Sequence, residues 1–165
     1  MKIVKAPAAY EHASKPLVFL AGGITGSPDW QQELRRLLED LPFGTLLNPR
    51  RANFPIHDPA AARQQITWEF QALNQAEIIN FWFAREGPQP IVMYEFGRHL
   101  ARWVLRDPPL KRLIVGIEPG YPRTQDVEIQ MELALLEIPV VQHSLREQAQ
   151  MVREAVVRVN TARKD

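Results

Sequence analysis

Apolar residues fall in five short, nearly continuous runs: LVFLA over 17–21, TLLN over 45–48, IINFWF over 78–83, RLIVGI over 112–117 and IPVVQ over 138–142. Runs of this length, rich in Val, Ile and Phe and without polar alternation, read as strands covered on both faces. Helical periodicity fills the intervals. A helix is predicted over 28–40, behind Ser27 as cap and with Asp29 in its first turn. Another is predicted over 60–76, behind His57-Asp58-Pro59, which puts proline just inside the helix. Further helices are predicted over 91–105 (after Pro90 and closed by Asp107-Pro108-Pro109), 125–136 (behind Thr124) and 144–159 (capped by Ser144). Strand and helix alternate, and strand–helix–strand units of this length imply parallel strands with right-handed crossovers. The expected fold is α/β, a single doubly wound five-stranded parallel sheet in a flavodoxin-like or Rossmann-like three-layer sandwich. One domain spans 1–165, with 1–16 as an N-terminal extension.

Periodicity also assigns faces. In the second helix Ala62, Ile66, Phe70 and Leu73 share one side, expected to face the sheet. Gln65, Trp68, Glu69, Ala72 and Ala76 fall on another, so Trp68 needs a different partner, a subunit interface or a ligand pocket. In the third helix Phe96, Leu100, Trp103 and Val104 form the core stripe, and Glu95, Arg98, His99 and Arg102 the polar one.

Composition narrows the classes. The chain has 165 residues, 45% hydrophobic and 24% charged, with a net charge of +1, so neither disorder nor a basic nucleic-acid footprint is indicated. The absence of cysteine excludes a disulfide framework, a Cys-ligated zinc or iron–sulfur site and a thiol nucleophile. No apolar run approaches the roughly 20 residues that span a bilayer. The opening MKIVKAPAAYEHASK lacks the apolar stretch of a secretory signal, and the expectation is a cytoplasmic protein without membrane or nucleic-acid polymer as partner. The four histidines are scattered and no HExxH spacing occurs, so no metal is assigned.

In open α/β sheets ligands bind outside the carboxyl ends of the strands. The first such loop is Gly22-Gly23-Ile24-Thr25-Gly26-Ser27, which reads either as an ordinary tight turn or as a backbone cradle for an anion or sugar. Asn48-Pro49-Arg50-Arg51 follows the second strand, where two arginines either fork a phosphate or carboxylate or serve solubility. Glu77 opens the third strand. Glu95 lies within about a turn of its helix start and precedes Gly97. It reads as half of a surface pair with arginine or as a carboxylate facing a ligand. After the fourth strand, Tyr121 and Arg123 suit stacking and anion contacts, with Asp126 beyond them.

Taken in order, FLAGGI, Asp29-Trp30, Asn48-Pro49-Arg50-Arg51, Gln65-Ile66-Thr67-Trp68-Glu69, Ala76-Glu77, FWF, the P-I-x-x-x-E-x-G run from Pro90 to Gly97, Pro119-Gly120-Tyr121 and Asp126-Val127 resemble the nucleoside 2-deoxyribosyltransferase-like family. The resemblance runs from about Val18 to Val141. It implies a doubly wound sheet and movement of a 2-deoxyribosyl group between nucleobases, with Glu95 as nucleophile and a covalent glycosyl ester. It implies nucleoside binding by Ala21, Gly22, Gly23 and Thr25. Glu77 stands where relatives carry an aspartate, Gln89 where they carry another, and Phe19 where they carry a tyrosine. Glu77 and Asp126 are the candidates for the general acid. Substrate contacts are expected from Asn48, Arg50, Arg51, Gln89, Tyr121 and Arg123. The small-molecule partner is a nucleoside or nucleotide, no cofactor is expected, and a homo-oligomer is expected. Three activities follow: glycosyl transfer, hydrolysis of a deoxynucleoside 5′-monophosphate (to which the glycine loop, Ser27, Arg50 and Arg51 point), or binding without turnover, to which Gln89 points.

Overall fold

The continuous apolar runs become strands buried on both faces. The computed structural model describes residues 1–105, 112–134, 140–141 and 144–163. Strands β1 (Lys2–Lys5), β2 (Leu17–Gly22), β3 (Thr45–Asn48), β4 (Ile78–Phe83), β5 (Arg112–Ile117) and β6 (Val140–Val141) form one sheet in the order β1-β3-β2-β4-β5-β6. All pairings are parallel, and every residue of β2, β3 and β4 is buried. The connecting helices are α1 (Trp30–Leu37), α2 (Pro59–Gln75), α3 (Pro90–Val104), α4 (Thr124–Leu133) and α5 (Leu145–Thr161). Among the described residues no helix is long and apolar enough to cross a membrane.

Alternate strand residues build two cores. Phe19, Ala21, Phe81, Phe83 and Val115 pack with α2, α3 and α4. Val18, Leu20, Ile78, Trp82 and Ile114 pack with α1 and α5. This is the expected three-layer sandwich, and without β1 the strand order is the expected flavodoxin-like one. The order in which successive strands are added across the sheet reverses between β2 and β4, so their carboxyl ends flank the topological switch point.

The sheet carries one strand beyond the five expected. β1 comes from the segment read as an N-terminal extension, and it pairs along β3 from Lys2–Thr45 to Lys5–Asn48. With two apolar residues between flanking lysines it has no strand signature of its own, as suits a short edge strand. Of the run at 138–142 only Val140 and Val141 are described. The rest of it, residues 135–136 of the fourth expected helix and the Asp107-Pro108-Pro109 stop lie outside the described residues.

Two helix faces differ from expectation. On α2 the buried residues are Ala61, Trp68, Ala72 and Leu73, whereas Ile66 and Phe70 are 65% and 51% exposed. Trp68 packs edge-on against Tyr10 at 5.6 Å and beside Phe19 at 6.3 Å, and its indole Nε1 donates to the Ala8 carbonyl at 2.9 Å. The N-terminal segment thus supplies the partner that Trp68 needs, and the tryptophan is buried within the chain. Apolar residues occur all round α2, and burying the largest ring decides its rotation. On α3 His99 is buried and Val104 is half-exposed, because the helix presents Val92, Phe96, His99 and Leu100 to the sheet.

Candidate active site

The loop leaving β2 is held from three directions. A Cβ on Gly22 would sit 2.5 Å from both the Trp30 ring and the Trp82 carbonyl. One on Gly23 would sit 2.7 Å from Ser27 Oγ and 2.9 Å from Gln89 Cδ. Close approach to the Trp82 carbonyl and the Trp30 ring, rather than an unusual φ, therefore demands glycine at position 22, whereas a Cβ at position 23 would displace the ends of the Ser27 and Gln89 side chains. Trp30 Nε1 donates to the Gly23 carbonyl at 3.0 Å, fixing the loop to α1. The Gly23 N–H donates to Gln89 Oε1 at 2.9 Å, fixing it to the start of α3. Gln89 adopts a left-handed backbone, with φ of 46°, and its Nε2 donates to the Ala84 carbonyl.

Arg50 supplies the third hold. Its Nη2 donates to the carbonyls of Gly23, Ser27 and Pro28 at 3.3, 3.2 and 2.8 Å, and its Nε donates to Gln31 Oε1 at 2.9 Å. Asp29 lies 3.5 Å from the same nitrogen. The sequence reading expected Arg50 to contact substrate. The structure instead turns its guanidinium onto loop carbonyls, of which those of Gly23 and Pro28 also accept from the indole and backbone N–H of Trp30.

Above this loop, between the carboxyl ends of β2 and β4, lies a cavity of about 270 Å³. Ala21, Gly22, Gly23 and Thr25 form one wall, and Phe19, Pro49, Pro90, Ile91 and Val92 form apolar sides. Gln89 and two carboxylates complete it, Glu95 from α3 and Glu69 from α2. Burial in apolar surroundings disfavours the charged form of both. The Glu95 carboxyl is pushed up to about 8, mainly by burial and then by the negative charge of Glu69, with Arg98 pulling the other way. Glu69 is raised by burial, against a hydrogen bond from Gln65. That bond runs from Gln65 Nε2 to Glu69 Oε1 at 2.8 Å, and the same nitrogen donates to the Pro49 carbonyl at 2.7 Å. No described residue donates a hydrogen bond to Glu95, so its oxygens face the cavity unclaimed.

A smaller cavity of about 160 Å³ adjoins the first through Ile24, Thr25, Pro49 and Glu69. Arg51, Phe54 and Gln65 line its far side, with the Arg51 guanidinium 5.4 Å over the Phe54 ring.

Other expected site residues lie elsewhere. Glu77 is at the amino end of β4, where it accepts the Leu17 N–H at 2.7 Å and pairs with Lys15 and Arg163. A six-residue strand, about 20 Å, separates it from the cavity. Asp126 pairs with Arg123 at 3.1 Å in the first turn of α4, and neither lines either cavity. Tyr121 is buried against Phe83. Its hydroxyl donates to the Pro88 carbonyl at 2.9 Å, and burial pushes its pKa up to about 12. It braces the loop before Gln89 instead of stacking on a ligand. Asn48 is buried and accepts the Arg50 N–H at 2.9 Å. Glu69 stood in the sequence as a residue off the expected core stripe and within the Gln65–Glu69 run of the resemblance, with no role assigned. Its signal was Gln65, placed four positions earlier on the same helix face. Among the described residues no group of three or more His, Asp or Glu side chains is arranged to hold a metal ion.

A comparison with curated proteins finds no match. The family described as nucleoside 2-deoxyribosyltransferase like matches over residues 15–104. That span is more than half of the chain, and it holds every residue that lines the two cavities. The family supports a role in glycosyl transfer or N-glycoside cleavage. The fold agrees with that match, and the chain belongs to the nucleoside 2-deoxyribosyltransferase-like family.

Proposed function

We propose that the protein breaks the N-glycosidic bond of a (deoxy)nucleoside or nucleotide, with Glu95 as the nucleophile. The observation that supports this most is the setting of Glu95. Its carboxyl lies in an apolar cavity at the switch point, beside a tightly held glycine loop, and no described donor claims it. An ionised oxygen of Glu95 attacks C1′ as the base departs through an oxocarbenium-like state, leaving a glycosyl ester. A second base or water then attacks from the vacated face, so configuration is retained. The displacement changes no oxidation state.

The acceptor and the phosphate state of the substrate separate the activities within this reading. Arg50 is committed to the loop carbonyls of Gly23, Ser27 and Pro28. This weighs against a 5′-phosphate bound by that arginine and favours a nucleoside as substrate. Incubation with nucleosides and 5′-monophosphates, with and without an acceptor base, tests the reading by chromatography. Free base without acceptor marks a hydrolase, and exchanged base marks a transferase. A thermal shift without either product marks a binding module and retires Glu95 as nucleophile.

We also propose that the protein assembles as a homo-oligomer. The supporting feature is the exposed apolar set Ile66 and Phe70 of α2 with Ile91 and Tyr94 of α3, flanking the cavity.

A further inference from the structure

Attack of Glu95 on a glycosidic carbon, the reading on which this inference rests, needs C1′ held against that carboxyl while the remainder of the substrate lies against the wall formed by Ala21 to Thr25. These two parts of the cavity come from different strands. β2 and β4 pair as far as Gly22 and Trp82. Beyond that pair the chains part, into the loop 23–29 after β2 and the loop 84–89 that leads into α3. We propose that Gln89 is a positioning residue whose carboxamide spans the gap between these loops and fixes the glycine wall relative to the helix that carries Glu95.

Hydrogen bonding carries the assignment. Gln89 Oε1 accepts the Gly23 N–H at 2.9 Å, and its Nε2 donates to the Ala84 carbonyl. Its backbone carbonyl accepts the Met93 N–H at 3.0 Å as α3 begins. One residue therefore ties the loop after β2, the end of β4 and the start of α3. Among the described residues no other hydrogen bond joins residues 23–29 to residues 84–90. An amide suits this place, because its oxygen meets an N–H and its nitrogen meets a carbonyl. A carboxylate would set an oxygen against the Ala84 carbonyl. Both footings of the bridge are firm. The Tyr121 hydroxyl donates to the Pro88 carbonyl, and the Glu118 carboxylate accepts the Arg85 N–H at 3.1 Å. On the other side Trp30 and Arg50 hold the Gly23 carbonyl.

The backbone of Gln89 points the same way. Among the described residues it is the one non-glycine residue with positive φ, at 46°. It also precedes Pro90, where an extended backbone is preferred. Glycine would take up this conformation at least cost. A strained backbone beside a reactive group is over-determined by its surroundings, and here the side chain supplies two hydrogen bonds that glycine could not make.

The test removes the carboxamide in two ways. Gln89→Ala keeps the disfavoured backbone and Gln89→Gly relieves it. Each is assayed for base release and base exchange on 2′-deoxyadenosine, 2′-deoxyguanosine, 2′-deoxycytidine, thymidine and their 5′-monophosphates. Exchange of the Gly23 amide proton with solvent is followed by NMR. Both variants are expected to lose about 10²-fold in kcat, with little change in KM, and to exchange the Gly23 amide proton faster. Gln89→Gly is expected to melt above Gln89→Ala, so that turnover follows the side chain and not the stability. Should Gln89→Ala fail to fold, Gln89→Gly decides. A kcat within a few-fold of the unsubstituted protein in Gln89→Gly, a raised KM at unchanged kcat, or a Gly23 amide that exchanges no faster overturns the assignment. Glu95→Gln separates the two readings, because it should end turnover and leave the Gly23 amide protected. Turnover that survives in Glu95→Gln, or an unsubstituted protein that turns over none of these substrates, removes the cleavage reading and this assignment with it.

Discussion

Glu95 of α3 and Glu69 of α2 line one apolar cavity, and the charge of Glu69 helps hold the proton on Glu95 up to about pH 8. The sign of the resulting stability change is fixed. A carboxyl whose folded pKa lies above its ordinary value stabilises the fold fully below about pH 4.5, and that contribution is lost as pH rises through 8. Glu95→Gln removes the titration. The variant should melt at least about 4 °C above the unsubstituted protein at pH 9 and within a degree or two of it near pH 5. Parallel melting curves at all pH values would place Glu95 in water, outside the cavity.

The same variant tests the nucleophile. Turnover should fall by orders of magnitude while ligand binding persists. A 2-fluoro-2-deoxynucleoside should leave its sugar on the peptide containing Glu95, read by mass spectrometry. A label on another carboxylate refutes the role.

Arg50 is expected to act on stability more than on substrate choice. Arg50→Ala removes the donor of the Ser27 carbonyl and one of two donors at each of the Gly23 and Pro28 carbonyls, and should cost about 1–3 kcal/mol, measured by urea denaturation. Arg50→Lys should not restore the loss, since an ammonium lacks the planar fork. The ratio of affinities for a nucleoside and its 5′-monophosphate should stay unchanged in both variants. A selective loss of monophosphate binding would return Arg50 to the ligand.

Trp68→Ala should cost about 3–5 kcal/mol, because the ring fills the space between Tyr10 and Phe19. Its oligomeric state should be that of the unsubstituted protein. A stable variant with altered assembly would move Trp68 to an interface.

Assembly itself is read by light scattering at micromolar concentration, where a dimer or larger species is expected. Charges at two exposed apolar positions, Ile66→Glu with Tyr94→Glu, should shift it to the monomer. A monomeric unsubstituted protein ends the proposal.

The sheet was legible because β2, β3, β4 and β5 are buried along nearly their whole length, so hydrophobicity alone marks them. Asp58 and Ser144 were legible as caps, and their side chains accept from Ala60 and Glu147. The rotation of α2 was not, since it depends on Tyr10, a residue about 60 positions away that no local period reports. Glu95 could be marked from its motif. Glu69 could not be placed by periodicity, because its position in the cavity follows from that same rotation of α2. Arg50 and Arg51 could not be told apart for a related reason. Two adjacent arginines at a strand end look alike in sequence, yet one holds carbonyls and the other lies over an aromatic ring.

The bond from Trp30 to the Gly23 carbonyl gives the protein an intrinsic optical reporter. An indole's emission depends on what its N–H touches, and this N–H touches the wall of the cavity. The indole N–H of Trp68 is bonded to Ala8 instead, away from that loop. A ligand that displaces the loop by a fraction of an ångström therefore changes the emission of Trp30, and binding becomes visible without a label, even in variants that no longer turn over.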